Sequence, residues 1–338
     1  MLNQKAGIFV LLSGLILIIC SCLPSSISDI PVRNWKMSVV TNEDSAWTRG
    51  AQLFADLVKQ RSGGRIIITV YPNAELAGGN QLNELTMLRD GNIDFTYHST
   101  LLYSNLDQSF AAVSMPWLFT DYPQVDAVLS GAAGGELLKE TQDYGIVGLA
   151  FGENGFRQLT NSRLAVRAPD DLKGLKIRIP DVALYNSIFR QLGATPVTMN
   201  FPDVPSALKQ GLIDGQENPV DIIVSSRLYE VQNHITVWNY SYDALILGMN
   251  KKDWDGLPAS AQNMIRQAAI EASIEQVKLS RDAARTKLGL LSDNGMAVTE
   301  LTPDQVQAFR GAAEPVYTEW ASKIEPNIQK LWEIRKIE

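Results

Sequence analysis

The sequence is poor in the side chains that most catalytic and metal sites require. Its 338 residues include two cysteines, Cys20 and Cys22, and two histidines, His98 and His234. Both cysteines lie near the N-terminus, which leaves the body of the chain without a disulfide framework, a catalytic thiolate or a zinc cluster. No GxSxG, HExxH or CxxC motif occurs in the body either. The sequence therefore predicts neither a nucleophilic hydrolase nor a metalloenzyme, and we expect no cofactor.

Basic residues are also in short supply. There are 30 lysines and arginines against 37 aspartates and glutamates, which gives a net charge of −7. Such a chain lacks the basic surface that neutralises a phosphate backbone, so nucleic acid is not an expected partner. What the chain has is length and apolar content: 45% of its residues are hydrophobic, which favours two cores of ordinary domain size.

The N-terminal segment, residues 1–28, reads as an export signal. Lys5 precedes an apolar run over residues 7–19, and a run of about 13 residues is shorter than the ~20 that a membrane-spanning helix needs. Cleavage after Ser21 would make Cys22 a lipidated residue, whereas cleavage after Ser28 would release a free protein. An uncleaved anchor is the third alternative. Each alternative places the body outside the cytoplasm, and we expect a periplasmic protein.

Strands and helices alternate along the body. In the first half, strands are predicted at residues 35–41, 65–71 and 93–97, with a helix after the first and another at 81–90. The β-branched run RIIITVY at 65–71 is typical of a strand buried on both faces of a parallel sheet. Polar residues at 98–100 follow the third strand, and ligands in such sheets bind at the carboxyl ends of strands. His98 and Ser99 are therefore candidate ligand contacts.

The same alternation restarts in the second half, which indicates two α/β lobes. The predicted strands are 147–151, 175–179, 196–199 and 213–217, and the predicted helices are 182–192 and 204–210. A charged, Ala-rich stretch over 258–291 predicts one helix of about 28 residues, which is long enough to brace two lobes. A last helical segment is predicted over 303–337.

Two arginines stand at the ends of predicted strands. Arg178, in KIRIP, alternates with Ile177 and Ile179 and so lies on the polar face of its strand. Arg157 follows another short predicted strand. A guanidinium at such a place can grip a carboxylate with two parallel hydrogen bonds. The alternative for both residues is an arginine held in an ion pair of the protein itself.

The segments around these arginines resemble a known family. FGENGFRQLTNSR (151–163), DDLKGLKIRIP (170–180), LGATPVTMNF (192–201) and ALKQGLIDGQENP (207–219) closely resemble the DctP-type solute-binding receptors of TRAP (tripartite ATP-independent periplasmic) transporters. The similarity covers most of residues 35–290, with several motifs in the order of the family.

The resemblance implies a receptor that captures a small organic anion and delivers it to the small and large subunits of a membrane permease. The implied fold is α/β, two-lobed and periplasmic-binding-protein-like (type II-like), with crossing hinge strands and a long bracing helix. Lobe I would span 32–154 plus 244–283, and lobe II 155–243 plus 284–338. We expect a monomer that binds by closure of the two lobes and is not an enzyme.

The resemblance also assigns residues. It places the carboxylate-binding arginine at Arg178, the supporting arginine at Arg157, the pocket asparagine at Asn218 and an aromatic wall at Phe201. Further contacts implied by the same matching are Asp181, His98, Ser99, Asn42, Glu43 and Tyr242.

The expected ligand is a hydroxylated monocarboxylate such as a hexuronate or an aldonate. The chain departs from the sialic-acid branch of the family at His98, Ser99 and Asp181, which makes sialic acid a poor candidate. Glu43, Asp181 and Asp221 would repel a second carboxylate but accept hydrogen bonds from vicinal hydroxyls. A C4-dicarboxylate or a 2-oxo acid is the alternative within the same system. An ABC-type receptor, an enzyme with Glu43 or His98 as base, and a sensor subunit are the remaining alternatives.

Overall fold

The computed structural model describes residues 29–324. The predicted export signal, Cys22 and the end of the last predicted helix therefore lie outside the described residues. In the described part of the chain, no helix is both long enough and apolar enough to cross a membrane.

Ten strands are present within residues 29–324. They are β1 (Arg33–Ser38), β2 (Ile66–Tyr71), β3 (Phe95–Ser99), β4 (Ile146–Asn161), β5 (Lys176–Ile179), β6 (Thr195–Thr198), β7 (Gly215–Pro219), β8 (His234–Val237), β9 (Tyr242–Asn250) and β10 (Ala297–Glu300).

The α-helices of the same range alternate with these strands, and the last helix follows β10. They are α1 (Ala46–Arg61), α2 (Gln81–Asp90), α3 (Thr100–Tyr103), α4 (Tyr122–Leu129), α5 (Ala132–Glu140), α6 (Ala183–Gln191), α7 (Val204–Lys209), α8 (Val220–Ser225), α9 (Lys251–Asp255), α10 (Ala259–Thr286), α11 (Leu288–Asp293) and α12 (Pro303–Ala321).

The strands form two lobes that share two long strands. Their order is β2-β1-β3-β9-β4-β7-β5-β6, with β8 beside β4 and β10 beside β8. In the first lobe β1 pairs in parallel with β2 and β3, and in the second lobe β5 pairs in parallel with β6 and β7. The antiparallel strands β4 and β9 join the two groups. The predicted two-lobed fold with hinge strands is thereby confirmed.

The central hinge strand is much longer than the short strand that the sequence predicted at residues 147–151. β4 runs for 16 residues, pairing with β9 as far as Phe156 and with β7 from Arg157 onward. The prediction ended too early because the following sequence Gly152-Glu153-Asn154-Gly155 reads locally as a turn. The structure absorbs it as a register shift between Glu153 and Gly155, where Gly155 has a φ of +114°, a value that suits glycine.

The long bracing helix is present as α10, with 28 residues. Its small buried residues Ala268, Ala269 and Ala272 allow close packing against the neighbouring elements, chiefly α1 and β4. Gln276 on the same helix accepts the backbone N–H of Glu153 at 2.8 Å and donates to the carbonyl of Glu153 at 2.7 Å. The helix therefore holds the hinge strand at its register shift.

Two local predictions need correction. β2 lies at the edge of the sheet, so Ile66 and Ile68 are buried while Thr69 is exposed. The continuous β-branched run therefore does not mark a strand that is buried on both faces. His98 and Ser99 are the last residues of β3, and Thr100 begins α3, so this polar segment is not a loop.

Candidate ligand-binding site

A pocket lies between the two lobes. It opens where β3, β5 and β7 end, next to the hinge strands. Residues of both lobes line it: Val40, Thr41, Trp47, Gln81, Ser99, Leu101, Leu102, Asn154, Arg157, Arg178, Pro180, Phe201, Asn218, Ile222 and Asp243.

Arg178 is a buried cation that has no acidic partner among the described residues. It is 2% exposed, and its Nε and Nη2 donate to the carbonyl of Met199 at 2.9 and 2.6 Å. Its guanidinium lies 5.7 Å from the ring centroid of Phe201. Among residues 29–324, no carboxylate comes within ion-pair distance of it, and Nη1 has no hydrogen-bond partner. Burial lowers the pKa of Arg178 to about 9, because the charged form is poorly compensated.

Arg157 presents the opposite case, because the protein itself neutralises it. Its Nη2 donates to Glu217 Oε1 at 2.8 Å, its Nε to the other oxygen of that carboxylate, and its Nη1 to Asp243 Oδ2 at 2.7 Å. Burial opposes the charge, but Glu217 and the other partners hold the pKa of Arg157 well above its ordinary value. A guanidinium with this many bonds is a fixed part of the pocket wall.

A hydrogen-bond network connects the other polar residues of the pocket. Asp243 accepts Ser99 Oγ at 2.5 Å and Asn154 Nδ2 at 2.7 Å, in addition to Arg157. Burial, the largest influence, raises the pKa of Asp243 in spite of these donors. Asn218 accepts from Arg157 through Oδ1 at 3.0 Å and donates to Gln216 at 2.6 Å. The network ties the end of β3, both hinge strands and β7 into one rigid wall.

Hydrogen bonds cross the cleft between the lobes. Gln81 Oε1 accepts the backbone N–H of Phe201 at 3.2 Å, and Asn105 donates to the carbonyl of Asp181 at 2.9 Å. Asn42 donates to the carbonyl of Ser225 at 3.0 Å, and Asp221 accepts the backbone N–H of Ala46 at 2.7 Å. The structure therefore shows the two lobes in a closed arrangement.

Comparison with known proteins agrees with this geometry. Residues 37–323 match the DctP family, described as bacterial extracellular solute-binding protein, family 7. The chain is 32% identical over 291 residues to the C4-dicarboxylate-binding periplasmic protein DctP of Rhodobacter capsulatus, covering 86% of each chain. The chain belongs to the DctP family.

Solved structures of TRAP solute-binding proteins have the same fold. One from Ralstonia eutropha H16, with bound (S)-2-acetolactate, is 36% identical with a TM-score of 0.87, over 90% of this chain and 99% of that one. The sugar acid binding protein DctPAm of Advenella mimigardefordensis, in complex with galactonate, is 30% identical with a TM-score of 0.88, over 91% and 99%. Proteins of this family are extracytoplasmic receptors that bind small organic acids for TRAP permeases.

Ten ligand contacts were predicted from the sequence, and five of these residues line the pocket. They are Arg178, Arg157, Asn218, Phe201 and Ser99.

The other five residues do not line the pocket. His98 is fully buried behind it, where Nε2 lies 2.9 Å from the carbonyl of Gln81. Tyr242 points to the hinge, where it donates to Glu153 at 3.1 Å. Glu43 and Asp181 are exposed, and the side chain of Asn42 contacts the opposite lobe.

Several pocket residues of the DctP-family chain were missed by sequence reasoning. The polar ones are Thr41, Gln81, Asn154 and Asp243, and the apolar ones include Leu101 and Leu102. The sequence does contain a signal for Gln81, because it is the first residue of a helix whose N-cap is Asn80. In the structure it lies beside His98 at the end of β3. Asp243 gave no local signal, because its partners Ser99 and Arg157 are 144 and 86 residues away in the chain.

Proposed function

We propose that this protein captures a small carboxylate in the cleft between its lobes and delivers it to a TRAP membrane permease. The observation that carries the proposal is Arg178, a buried guanidinium that faces the pocket with no acidic partner among the described residues. A ligand carboxylate there would compensate a charge that the protein leaves uncompensated, through a charge-assisted hydrogen bond to Nη1.

The remaining pocket residues have supporting roles in this proposal. Phe201 packs against the guanidinium plane of Arg178 and shapes one wall. Arg157 and Asn218 keep the donor network of the second lobe in place, and Ser99 carries that network to the first lobe. His98 acts on the pocket from behind, through Gln81. Asp181 and Asn42 act on closure and Tyr242 on the hinge, and neither these residues nor the exposed Glu43 touch the ligand.

Closure of the lobes provides the binding mechanism. The hydrogen bonds that cross the cleft form only when the lobes are together, and a ligand held by Arg178 and by residues of lobe I favours that arrangement. The change of β4 pairing partner at Arg157 supports the predicted division into lobe I (32–154 plus 244–283) and lobe II (155–243 plus 284–338).

We also propose that the protein acts as a monomeric receptor without catalysis. The two residues considered as bases are badly placed for chemistry, because Glu43 is exposed and the ring of His98 lies behind the pocket wall. Export would use the segment 1–28, and lipidation of Cys22 would anchor the mature protein at the membrane. Mass spectrometry of the N-terminal peptide distinguishes acylated Cys22 from a free terminus near Asp29.

The ligand class was predicted from three acids, Glu43, Asp181 and Asp221, none of which lines the pocket. The preference for a hexuronate or an aldonate therefore loses its support in these residues. Proteins similar to this chain are named for C4-dicarboxylates or contain acetolactate or galactonate. All of these ligands are small carboxylates, and so are the predicted sugar acid and its alternatives.

Mass spectrometry of the compound that co-purifies with the exported protein tests the proposal. We expect a small carboxylic acid that is released on unfolding and is chemically unchanged after prolonged incubation with fresh protein. The variant Arg178→Met, purified in parallel, should carry none. A neutral or cationic compound, or an acid that is converted by the protein, would refute the receptor proposal.

A further inference from the structure

The pocket offers far more free hydrogen-bond donors than acceptors. Among the described residues, Arg178 Nη1 and Gln81 Nε2 have no protein partner, and Asn218 Nδ2 uses one of its two hydrogens on Gln216. The main acceptors are occupied, since the carboxylate of Asp243 receives three donors. Of the side-chain amide oxygens in the lining, that of Asn154 has no hydrogen-bond partner within residues 29–324. The site therefore suits a ligand rich in acceptor oxygens and poor in hydroxyl groups.

Gln81 is oriented so that its donor group is available. Its Oε1 accepts the backbone N–H of Phe201 at 3.2 Å, which assigns the oxygen of the amide and leaves Nε2 as the free end. Its backbone carbonyl is held by His98 Nε2 at 2.9 Å. The residue is 3% exposed, and its free amide hydrogens lie at the lining of the pocket. An acceptor oxygen of the ligand would satisfy them.

The rest of the pocket wall is apolar. Val40, Leu101, Leu102 and Ile222 line it together with the rings of Trp47 and Phe201 and with Pro180. A ligand hydroxyl facing these side chains would lose its water partners without replacement, which costs binding free energy. A hydrocarbon branch in the same place gains from burial.

Within the described part of the chain, the pocket lining has no further cation for a second carboxylate. Arg157 is already paired with Glu217 and Asp243, so an additional anion at that wall would face two carboxylates. Repulsion of this kind discriminates against dicarboxylates.

We propose that the site selects a short, branched monocarboxylate with an oxo or hydroxy oxygen at C2, and that Gln81 is a specificity-determining residue that reads this oxygen. The inference rests on the proposed receptor function. The carboxylate binds Arg178, the C2 oxygen accepts Gln81 Nε2, and the branch contacts the apolar wall. This assignment replaces the sugar-acid preference that the sequence suggested.

Titration calorimetry of the ligand-stripped, refolded protein tests the selectivity. The panel is 2-oxo-3-methylbutanoate, 3-methylbutanoate, gluconate and succinate. We expect 2-oxo-3-methylbutanoate to bind tightest. Gluconate and succinate should bind with an affinity lower by about tenfold or more, because one or two of their polar groups would be buried without a partner. Tighter binding of gluconate or succinate would overturn the inference and leave the receptor proposal standing. Binding of none of the acids by folded protein would overturn both.

A variant cycle tests the role of Gln81. Gln81→Met should lower the affinity for 2-oxo-3-methylbutanoate by about tenfold. It should lower the affinity for 3-methylbutanoate, which lacks the C2 oxygen, by much less. Gln52→Met, at an exposed position on α1, is the matched control and should change neither affinity. Equal losses for both acids in Gln81→Met would show that Gln81 only supports closure, and would refute its specificity role.

Discussion

The carboxylate of Asp221 accepts the backbone N–H of Ala46 across the cleft at 2.7 Å. Ala46 is the first residue of α1 in one lobe, and Asp221 belongs to α8 in the other. Asp221 is 4% exposed and also accepts Lys287 Nζ at 2.8 Å. A carboxylate at the N-terminus of a helix is stabilised by the free N–H groups and the helix dipole. The acid therefore acts as a latch between the lobes.

Removal of this latch should weaken ligand binding without touching the pocket chemistry. In Asp221→Ala, closure loses a charge-assisted hydrogen bond worth about 1.5–3 kcal/mol, so we expect the Kd to rise by roughly tenfold to 100-fold. Calorimetry gives the Kd, and small-angle scattering should show a more open average shape. Asp44→Ala, at an exposed acid just before α1, is the control. An unchanged Kd in Asp221→Ala would exclude the latch.

Local sequence patterns were enough to predict many of the elements. α2 was expected at 81–90 and is found there, because Asn80 caps its start and Gly91 its end, with a φ of +76°. The length of α10 followed from a stretch without glycine or proline. Arg178 was found because it stands at the end of a strand with a clear alternation and because its segment resembles the family.

What the sequence could not predict depends on residues far apart in the chain. Arg157 and Arg178 looked equivalent, since Arg178 lies at the end of one predicted strand and Arg157 follows another. The partners that separate them, Glu217 and Asp243, are 60 and 86 residues beyond Arg157, and no local pattern connects them. Glu43 and Asp181 were expected to contact the ligand because the family resemblance places them near the cleft. Their loops are near the cleft, but whether a side chain faces the cleft or solvent depends on how the two lobes close.

Arg178 should be essential for binding but not for folding. Arg178→Met removes a buried cation that has no acidic partner in the described part of the chain, so the free energy of unfolding of the free protein should stay the same or rise by about 1 kcal/mol. Ligand affinity should fall by at least about 100-fold. Urea titration and calorimetry measure the two effects, with Arg190→Met, at an exposed arginine of α6, as the control. Retained affinity would remove Arg178 from its anchoring role.

Arg157 should show the reverse pattern of effects. Arg157→Met leaves the carboxylates of Glu217 and Asp243 buried without their cation, so we expect the free energy of unfolding to fall by about 3–5 kcal/mol. Adding Glu217→Gln to that variant should recover part of the loss, because one of the two uncompensated charges is gone. Urea titration of the single and double variants measures both. A loss below about 1 kcal/mol, together with abolished binding, would instead make Arg157 a direct ligand contact.

The hinge contains a carboxyl group whose charge is disfavoured. Glu153 lies in β4 at the register shift, 1% exposed. Its Oε2 accepts Arg281 Nε at 2.9 Å and Tyr242 at 3.1 Å, and Oε1 has no hydrogen-bond partner in the described part of the chain. Burial outweighs these bonds and raises the pKa of Glu153 from 4.5 to about 7.

This raised pKa predicts that stability falls as pH rises. Between about pH 4.5 and 7 the folded protein holds a proton on Glu153 that the unfolded chain releases, so the free energy of unfolding should decrease through that window, by up to about 3 kcal/mol. Asp94, whose pKa burial raises to about 6, contributes in the same direction, so the wild-type slope alone does not identify the group. Glu153→Gln cannot ionise and should flatten the slope by the share of Glu153, whereas Glu300→Gln, at an exposed glutamate, should leave it unchanged. Urea titrations at pH 5, 6 and 7 give the slope of the free energy of unfolding against pH for the wild type and both variants. If Glu153→Gln has the same slope as the wild type, Glu153 is ionised in the hinge throughout this range.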